Sequence, residues 1–129
     1  MEIPRSFRYS IEHEWAALEP DGQHVRVGIT DYAQDALGDV VHVQLPAVGA
    51  RVQENDSVGE VESTKSVSEI YSPLAGVVVR VNDAAAQAPE LVNQDPYGAG
   101  WLFVLEPDDL GDMQRRLMDA DDYGKLLGG

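Results

Sequence analysis

Apolar and polar residues alternate with period two through much of the chain. In His24-Val25-Arg26-Val27-Gly28-Ile29 every second side chain is apolar until the glycine, as a strand with one buried face requires. Phe7 to Leu18, around His13-Glu14-Trp15, mixes aromatic and polar residues. The intervening Glu19-Pro20-Asp21-Gly22 is turn chemistry, so the two segments read as a hairpin. Thr30 is suited to cap a helix, Asp31 to occupy its first turn and Gly38 to end it, which predicts a short helix over Tyr32 to Leu37. Alternation resumes at Val41, Val43 and Leu45 and stops at Pro46. From Gly49 to Val81, apolar positions at Val52, Val58, Val61, Val67, Ile70 and Val77 to Val81 are separated by turn residues. Short strands at that spacing predict a sandwich or a flattened barrel. Gly38-Asp-Val-Val-His-Val43 is echoed by Gly76-Val-Val-Val-Arg-Val81, a hint of two similar half-units that face each other.

Residues 82 to 100 read as a loop, punctuated by Pro89, Asn93, Pro96, Gly98 and Gly100, and Trp101 to Leu105 as a last strand. After Pro107, Asp108 is placed to cap a helix with Leu110, Met113, Leu117 and Met118 on one face, and Tyr123, Leu126 and Leu127 predict a final helical turn. The length, 129 residues, corresponds to one domain, residues 1–129, with a core over about 24–106 and a helical segment over about 108–127.

Charge narrows the class of partner. Nine Lys+Arg against 23 Asp+Glu leave a formal net charge of -14, which repels phosphate backbones and anionic lipid, so neither nucleic acid nor a membrane is expected as a partner. There are no cysteines, so disulfides, zinc thiolates and thiol nucleophiles are excluded. His13, His24 and His42 lack the spacing of helical metal ligands, and no nucleophile elbow, Walker loop or GxGxxG occurs. Trp15 and Trp101 read as core or rim anchors, and Asp119, Asp121 and Asp122 as a solvated face. No catalytic residue and no metal site is expected.

One position stands out. The chain has two lysines, Lys65 and Lys125. Lys65 lies between two strand-like segments with Ser63, Thr64 and Ser66 around it, an isolated amine on a hairpin tip. An attachment point for an acyl cofactor needs such a lysine, with no neighbouring amine to be modified in error; an ordinary surface lysine is the alternative.

The residues around it resemble the H proteins of the glycine cleavage system. The likeness covers nearly the whole chain: His13-Glu14-Trp15, Val27 to Gln34, Leu37 to Val41, Glu62-Ser63-Thr64-Lys65, Ser72-Pro73, Pro89 to Asn93, Asp95-Pro96-Tyr97 and Gly100-Trp101. The resemblance implies a mainly β fold, a barrel-sandwich hybrid of the lipoyl and biotinyl carriers. A short helix would follow the N-terminal hairpin, with helices at the C-terminus. It implies a non-catalytic carrier with (R)-lipoate in amide linkage to Lys65, and recognition of the site through Glu62 and Gly76 by a lipoate-attaching enzyme. The implied partners are the pyridoxal-phosphate-dependent glycine decarboxylase, which loads an aminomethyl group, and the tetrahydrofolate-dependent aminomethyltransferase, which takes it. A third, dihydrolipoamide dehydrogenase, reoxidises the arm. The sequence departs from the family around the lysine, where Thr64 stands for the usual Val, Ser66 for Ala and Glu69 for Asp.

Further expectations rest on these residues. Acylation removes the lysine charge and takes the formal total from -14 to -15, a field that steers encounters with basic patches. A loaded arm carries a cationic amine, so Glu14 and Glu69 are expected to supply carboxylates in a cleft that hides it. Gly76, just after Pro73-Leu74-Ala75, is expected to serve a turn through its backbone freedom, so that a bulky residue there would distort the strand beside the tip and lower lipoylation. The start at Met1 without a transit peptide points to a bacterial cytoplasm, the family being mitochondrial in eukaryotes. The alternatives are a relay that passes lipoyl groups to 2-oxoacid dehydrogenase subunits, a biotinyl carrier, which Thr64 and Ser66 disfavour, and a cofactor-free acidic interaction domain.

Overall fold

The fold is taken from a computed structural model that describes residues 1–128. Its strands form two antiparallel sheets. The larger contains β1 (Arg8–Tyr9), β2 (Glu14–Leu18), β3 (Val25–Ile29), β5 (Arg51–Val52), β8 (Gly76–Val81) and β9 (Phe103–Pro107), in the order β1-β2-β3-β9-β8-β5. The smaller contains β4 (Val40–Gln44), β6 (Ser57–Ser63) and β7 (Val67–Tyr71), in the order β4-β6-β7. The mainly β expectation holds as a two-sheet sandwich, and among the described residues neither sheet closes into a barrel. The two echoed stretches fall on β4 and β8, one in each sheet.

The core follows from the alternation. Val25 and Val27 of β3, Val43 of β4, Val61 of β6, Ile70 of β7, Val78 of β8 and Phe103 and Leu105 of β9 are buried in one cluster drawn from both sheets. A second cluster holds Tyr9, Trp15, Ala120 and Tyr123. Trp15 is fully buried, and its Nε1 donates to the Pro96 carbonyl at 3.0 Å. Trp101 lies at the rim with the guanidinium groups of Arg26 and Arg80 over its ring, 5.2 and 5.5 Å from the centroid. Both arginines bind Glu19, at 3.0 and 2.9 Å, so one carboxylate holds the two cations against the ring.

The first helix forms as its caps predict. In α1 (Asp31–Leu37) the Thr30 hydroxyl accepts from the Ala33 N–H at 3.2 Å, and Gly38 ends the helix with φ +84°. Residues 82–100 are not simply a loop. They contain α2 (Asp83–Gln87) and α3 (Glu90–Gln94), single turns that bury Ala85 and Val92. The continuous helix expected from Asp108 is also corrected. Asp108 binds Arg51 at 3.0 Å instead of capping, and α4 (Asp112–Arg116) begins after Gly111. Leu117 is extended, and Met118 exchanges backbone hydrogen bonds with Tyr9 at 2.9 and 2.8 Å. Pairing with β1 therefore breaks the predicted helical face. In α5 (Ala120–Leu126), Asp119 is the N-cap and accepts from the Asp122 N–H at 2.9 Å. Tyr123 of α5 stacks on Tyr9, ring centroids 4.6 Å apart, and its hydroxyl lies 2.7 Å from Thr30 Oγ1 and 2.9 Å from His13 Nδ1. The last helix is thereby tied to the cap of the first.

Candidate functional site

Lys65 sits exposed on the turn between β6 and β7, as the isolated amine of the sequence suggests. The turn is built by Ser63, whose side chain is buried. Its Oγ accepts from the Lys65 and Ser66 N–H groups, each at 3.1 Å, while its own N–H donates to the Ser66 carbonyl at 2.8 Å. One hydroxyl thus satisfies both amides that a tight turn leaves unpaired. The tip is anchored sideways by the Thr64 N–H, which donates to the Asp39 carbonyl at 3.1 Å. The loop that receives it is held by Asn93 of α3. That side chain donates to Gly38 O at 2.9 Å and Gln34 Oε1 at 3.0 Å, and accepts from the Val40 N–H at 2.8 Å. Gly38 leaves room for the lysine stem: a Cβ there would stand 3.0 Å from Lys65 Cε. Among the described residues Lys65 forms no ion pair.

A cleft of about 320 Å³ opens beside this tip. Residues 66–70 form one wall; Tyr32, Ala33, Ala36 and Leu37 of α1 form the other. Glu14 and Glu69, which the sequence reading paired, both line it. Their settings differ. Glu69 is exposed at the rim, where its carboxylate accepts from the Ser57 and Tyr71 hydroxyls at 3.0 and 3.1 Å. Glu14 is 2% exposed. It accepts from Ser10 Oγ at 2.6 Å and from the Tyr71 backbone N–H at 3.2 Å, which joins the larger sheet to the smaller. Burial pushes its carboxyl up to about 7, and the two hydrogen bonds offset only part of that shift. His13 also lines the cleft, with φ +69°, and burial lowers its pKa.

Glu14 therefore couples stability to pH. Its folded pKa lies above the unfolded value, so the folded chain binds more protons between about pH 4.5 and 7, and stability falls as pH rises through that window. The expected contribution is roughly 3 kcal/mol at most. Chemical denaturation at pH 5 and 8 is expected to show Glu14→Gln losing less stability than wild type over that interval; parallel curves would refute the shift.

The remaining site expectations are placed as follows. Glu62, on β6, is exposed and lies opposite His42 on one side and Val67 on the other. Gly76 does not have the left-handed backbone that the expected turn would need. It begins β8 in the other sheet, and a Cβ there would collide with the Glu106 carbonyl oxygen. Its requirement is for space against β9. Lys125 lies in α5, in a helix and not on a hairpin. Ser10, Tyr71 and Asn93 escape a reading from local pattern, because distant segments bring them to the site. Ser63 alone carried a local signal, a small hydroxyl two residues before the lysine. Among the described residues no group of His, Asp and Glu forms a metal site, and no helix is long and apolar enough to cross a membrane.

Comparison with known proteins accounts for this geometry. Residues 7–128 match the glycine cleavage H-protein family. A glycine cleavage system H protein of Thermus thermophilus is 55% identical over 127 residues, 98% of this chain and 97% of that protein. That of Geobacillus kaustophilus is 48% identical, with 98% of each chain covered. The crystal structure of the H protein from Mycobacterium marinum superposes with a TM-score of 0.89 at 44% identity, covering 98% of this chain and 100% of that one. The pinned lysine tip, the cleft beside it and the likeness along the whole fold converge: the chain belongs to the glycine cleavage H-protein family.

Proposed function

We propose that this protein carries lipoate on Lys65 and moves an aminomethyl group between the enzymes of glycine cleavage. Members of this family are lipoyl carriers of the glycine cleavage system and not catalysts. The observation that carries the assignment to Lys65 is its position on a pinned, exposed turn at the mouth of a cleft with a buried carboxylate. The residues present fit an acyl arm. Ala33, Ala36, Leu37 and Ile70 offer it an apolar wall, and Gly38 leaves space for the stem.

When bound, lipoate supplies a reducible disulfide that takes up the one-carbon amine unit. The protein's own part is to position and protect. A cationic amine brought to Glu14 favours the ionised carboxyl, because an opposite charge lowers a carboxyl pKa against the burial that raises it. Glu69 adds a second negative charge at the rim. The loading partner is the pyridoxal-phosphate-dependent glycine decarboxylase, the receiving partner the tetrahydrofolate-dependent aminomethyltransferase, and dihydrolipoamide dehydrogenase restores the arm. Glu62, exposed on the strand that leads to the tip, is offered to the lipoate-attaching enzyme, and Gly76 supports that recognition by keeping β8 against β9. The carrier unit is the whole chain, residues 1–129, around a core over about 24–106, and its place of action is the cytoplasm, in keeping with its bacterial relatives.

Intact mass after incubation with a lipoate-attaching enzyme, followed by a glycine cleavage assay with purified partners, tests this reading. One lipoyl group and restored cleavage are the expected result. An unmodified chain would leave a cofactor-free acidic interaction domain. A lipoylated chain inactive in cleavage, yet able to pass its lipoyl group to 2-oxoacid dehydrogenase subunits, would establish the relay instead.

A further inference from the structure

The outer edge of the smaller sheet faces the cleft with its backbone unpaired. The order β4-β6-β7 leaves β7 with one neighbour. The turn fixes which of its groups point outward. The Ser63 N–H donates to the Ser66 carbonyl, so Ser66 faces β6, and by strand alternation Ser68 and Ile70 do so as well, opposite Val61 and Gly59. Val67, Glu69 and Tyr71 then turn their N–H and C=O groups away from the sheet. Tyr71 verifies the direction, because its N–H is taken by Glu14 Oε2 at 3.2 Å. Val67 and Glu69 keep outward N–H groups with no ladder partner, on a strand that lines the cleft. Val67 is also 55% exposed and Tyr32, across the cleft, 38% exposed, an apolar pair left open at its mouth. An uncovered strand edge of this kind is a template for any amide that comes beside it.

We propose that this edge seats the acyl arm, the Val67 N–H donating a hydrogen bond to the carbonyl of the amide that joins the arm to Lys65. The inference rests on the lipoyl reading of Lys65 and deepens it.

Chain lengths select the residue. An extended lysine side chain reaches about 6 Å, close to the two-residue step from Lys65 to Val67 at about 3.4 Å per residue; Glu69, two residues further, lies beyond the amide. A trans amide points its N–H and C=O in opposite directions, so the arm can offer this edge one hydrogen bond and not two. From there the path leads to Glu14. Val67 to Tyr71 spans about 14 Å at the strand rise; from the amide carbonyl, about eight bonds through the first sulfur to the aminomethyl nitrogen extend roughly 11 Å, and a hydrogen bond of about 3 Å to the carboxylate covers the rest. The strand thus works as a ruler: its first outward N–H meets the amide, and its last is already held by the carboxylate at the far end.

Amide hydrogen exchange read by NMR on lipoylated, aminomethyl-loaded protein tests the seat. The Val67 N–H is expected to exchange about tenfold or more slowly than in unlipoylated Lys65→Arg protein, with the Glu69 N–H changing less. Val67→Pro removes the outward N–H without breaking the ladder to β6, a tolerated place for proline on an edge strand. It is expected to speed spontaneous ammonia release from the loaded protein, and to do so more than Val67→Ala, which trims the apolar contact but keeps the N–H. Equal exchange of Val67 in the loaded protein and in Lys65→Arg would overturn the seat. Intact mass separates the two failures: no lipoyl group refutes the carrier reading, whereas a lipoylated chain with an unprotected Val67 refutes only this inference.

Discussion

Lys65→Arg is expected to abolish lipoylation and all carrier activity while the melting temperature stays within about 1 °C of wild type. The two effects separate because the turn is built without the lysine side chain. Ser63 Oγ binds the main-chain amides of residues 65 and 66, and Asp39 binds that of Thr64, so the tip persists whatever residue 65 carries. Arginine keeps the positive charge, but its guanidinium stays protonated and is no acceptor for an activated acyl group. Peptide mass spectrometry, the glycine cleavage assay and thermal denaturation provide the three readouts. Lys125 stays unmodified in both proteins, because it lies on α5 without the turn and cleft that mark Lys65. Lipoate found on Lys125, or cleavage activity retained by Lys65→Arg, would refute the assignment.

Gly76→Val is expected to cost about 3 kcal/mol or more and lower the melting temperature by about 10 °C or more. The obstacle is backbone: a Cβ would overlap the Glu106 oxygen and stand 2.9 Å from the Pro107 Cα, and both atoms belong to the strand that β8 pairs with. No rotamer change relieves such a contact, so the β8–β9 ladder must open. Any loss of lipoylation then follows from disturbed folding, not from a distorted tip. Melting curves and lipoylation rates, taken well below each transition, distinguish the two. A Gly76→Val protein that melts like wild type yet resists lipoylation would mean that the attaching enzyme reads the glycine directly.

These two residues also show what local pattern conveys. Thr30, Asp31 and Gly38 mark α1 because capping is a local transaction between neighbours, and the β6–β7 hairpin is legible from Val61 and Ile70 around small polar residues. Gly76 was legible as a glycine that matters but not for its reason, which lies on β9, thirty residues downstream. The two five-residue helices of residues 82–100 are too short to show a period, and their prolines and glycines mark where they end. The helix expected from Asp108 was displaced by partners elsewhere in the chain, Arg51 for the cap and Tyr9 for Met118. At the cleft, Glu14 could be nominated from charge and resemblance. Its ligands Ser10 and Tyr71 could not, since they come from a turn in one sheet and an edge of the other.

The contact of Tyr123 with Thr30 and His13 has a consequence for the order of events in the cell. Synthesis runs from the N-terminus, and domains fold as chain becomes available. The hairpin that bears Lys65 ends at residue 71, long before the ribosome reaches Tyr123. Only that tyrosine completes the hydrogen-bonded corner at the start of α1, beside His13 at the cleft. The lysine-bearing turn can therefore be assembled before Tyr123 is synthesised, whereas the corner beside the cleft is completed only after it. A translation product stalled before residue 123 would present the exposed lysine turn beside a cleft that lacks this corner.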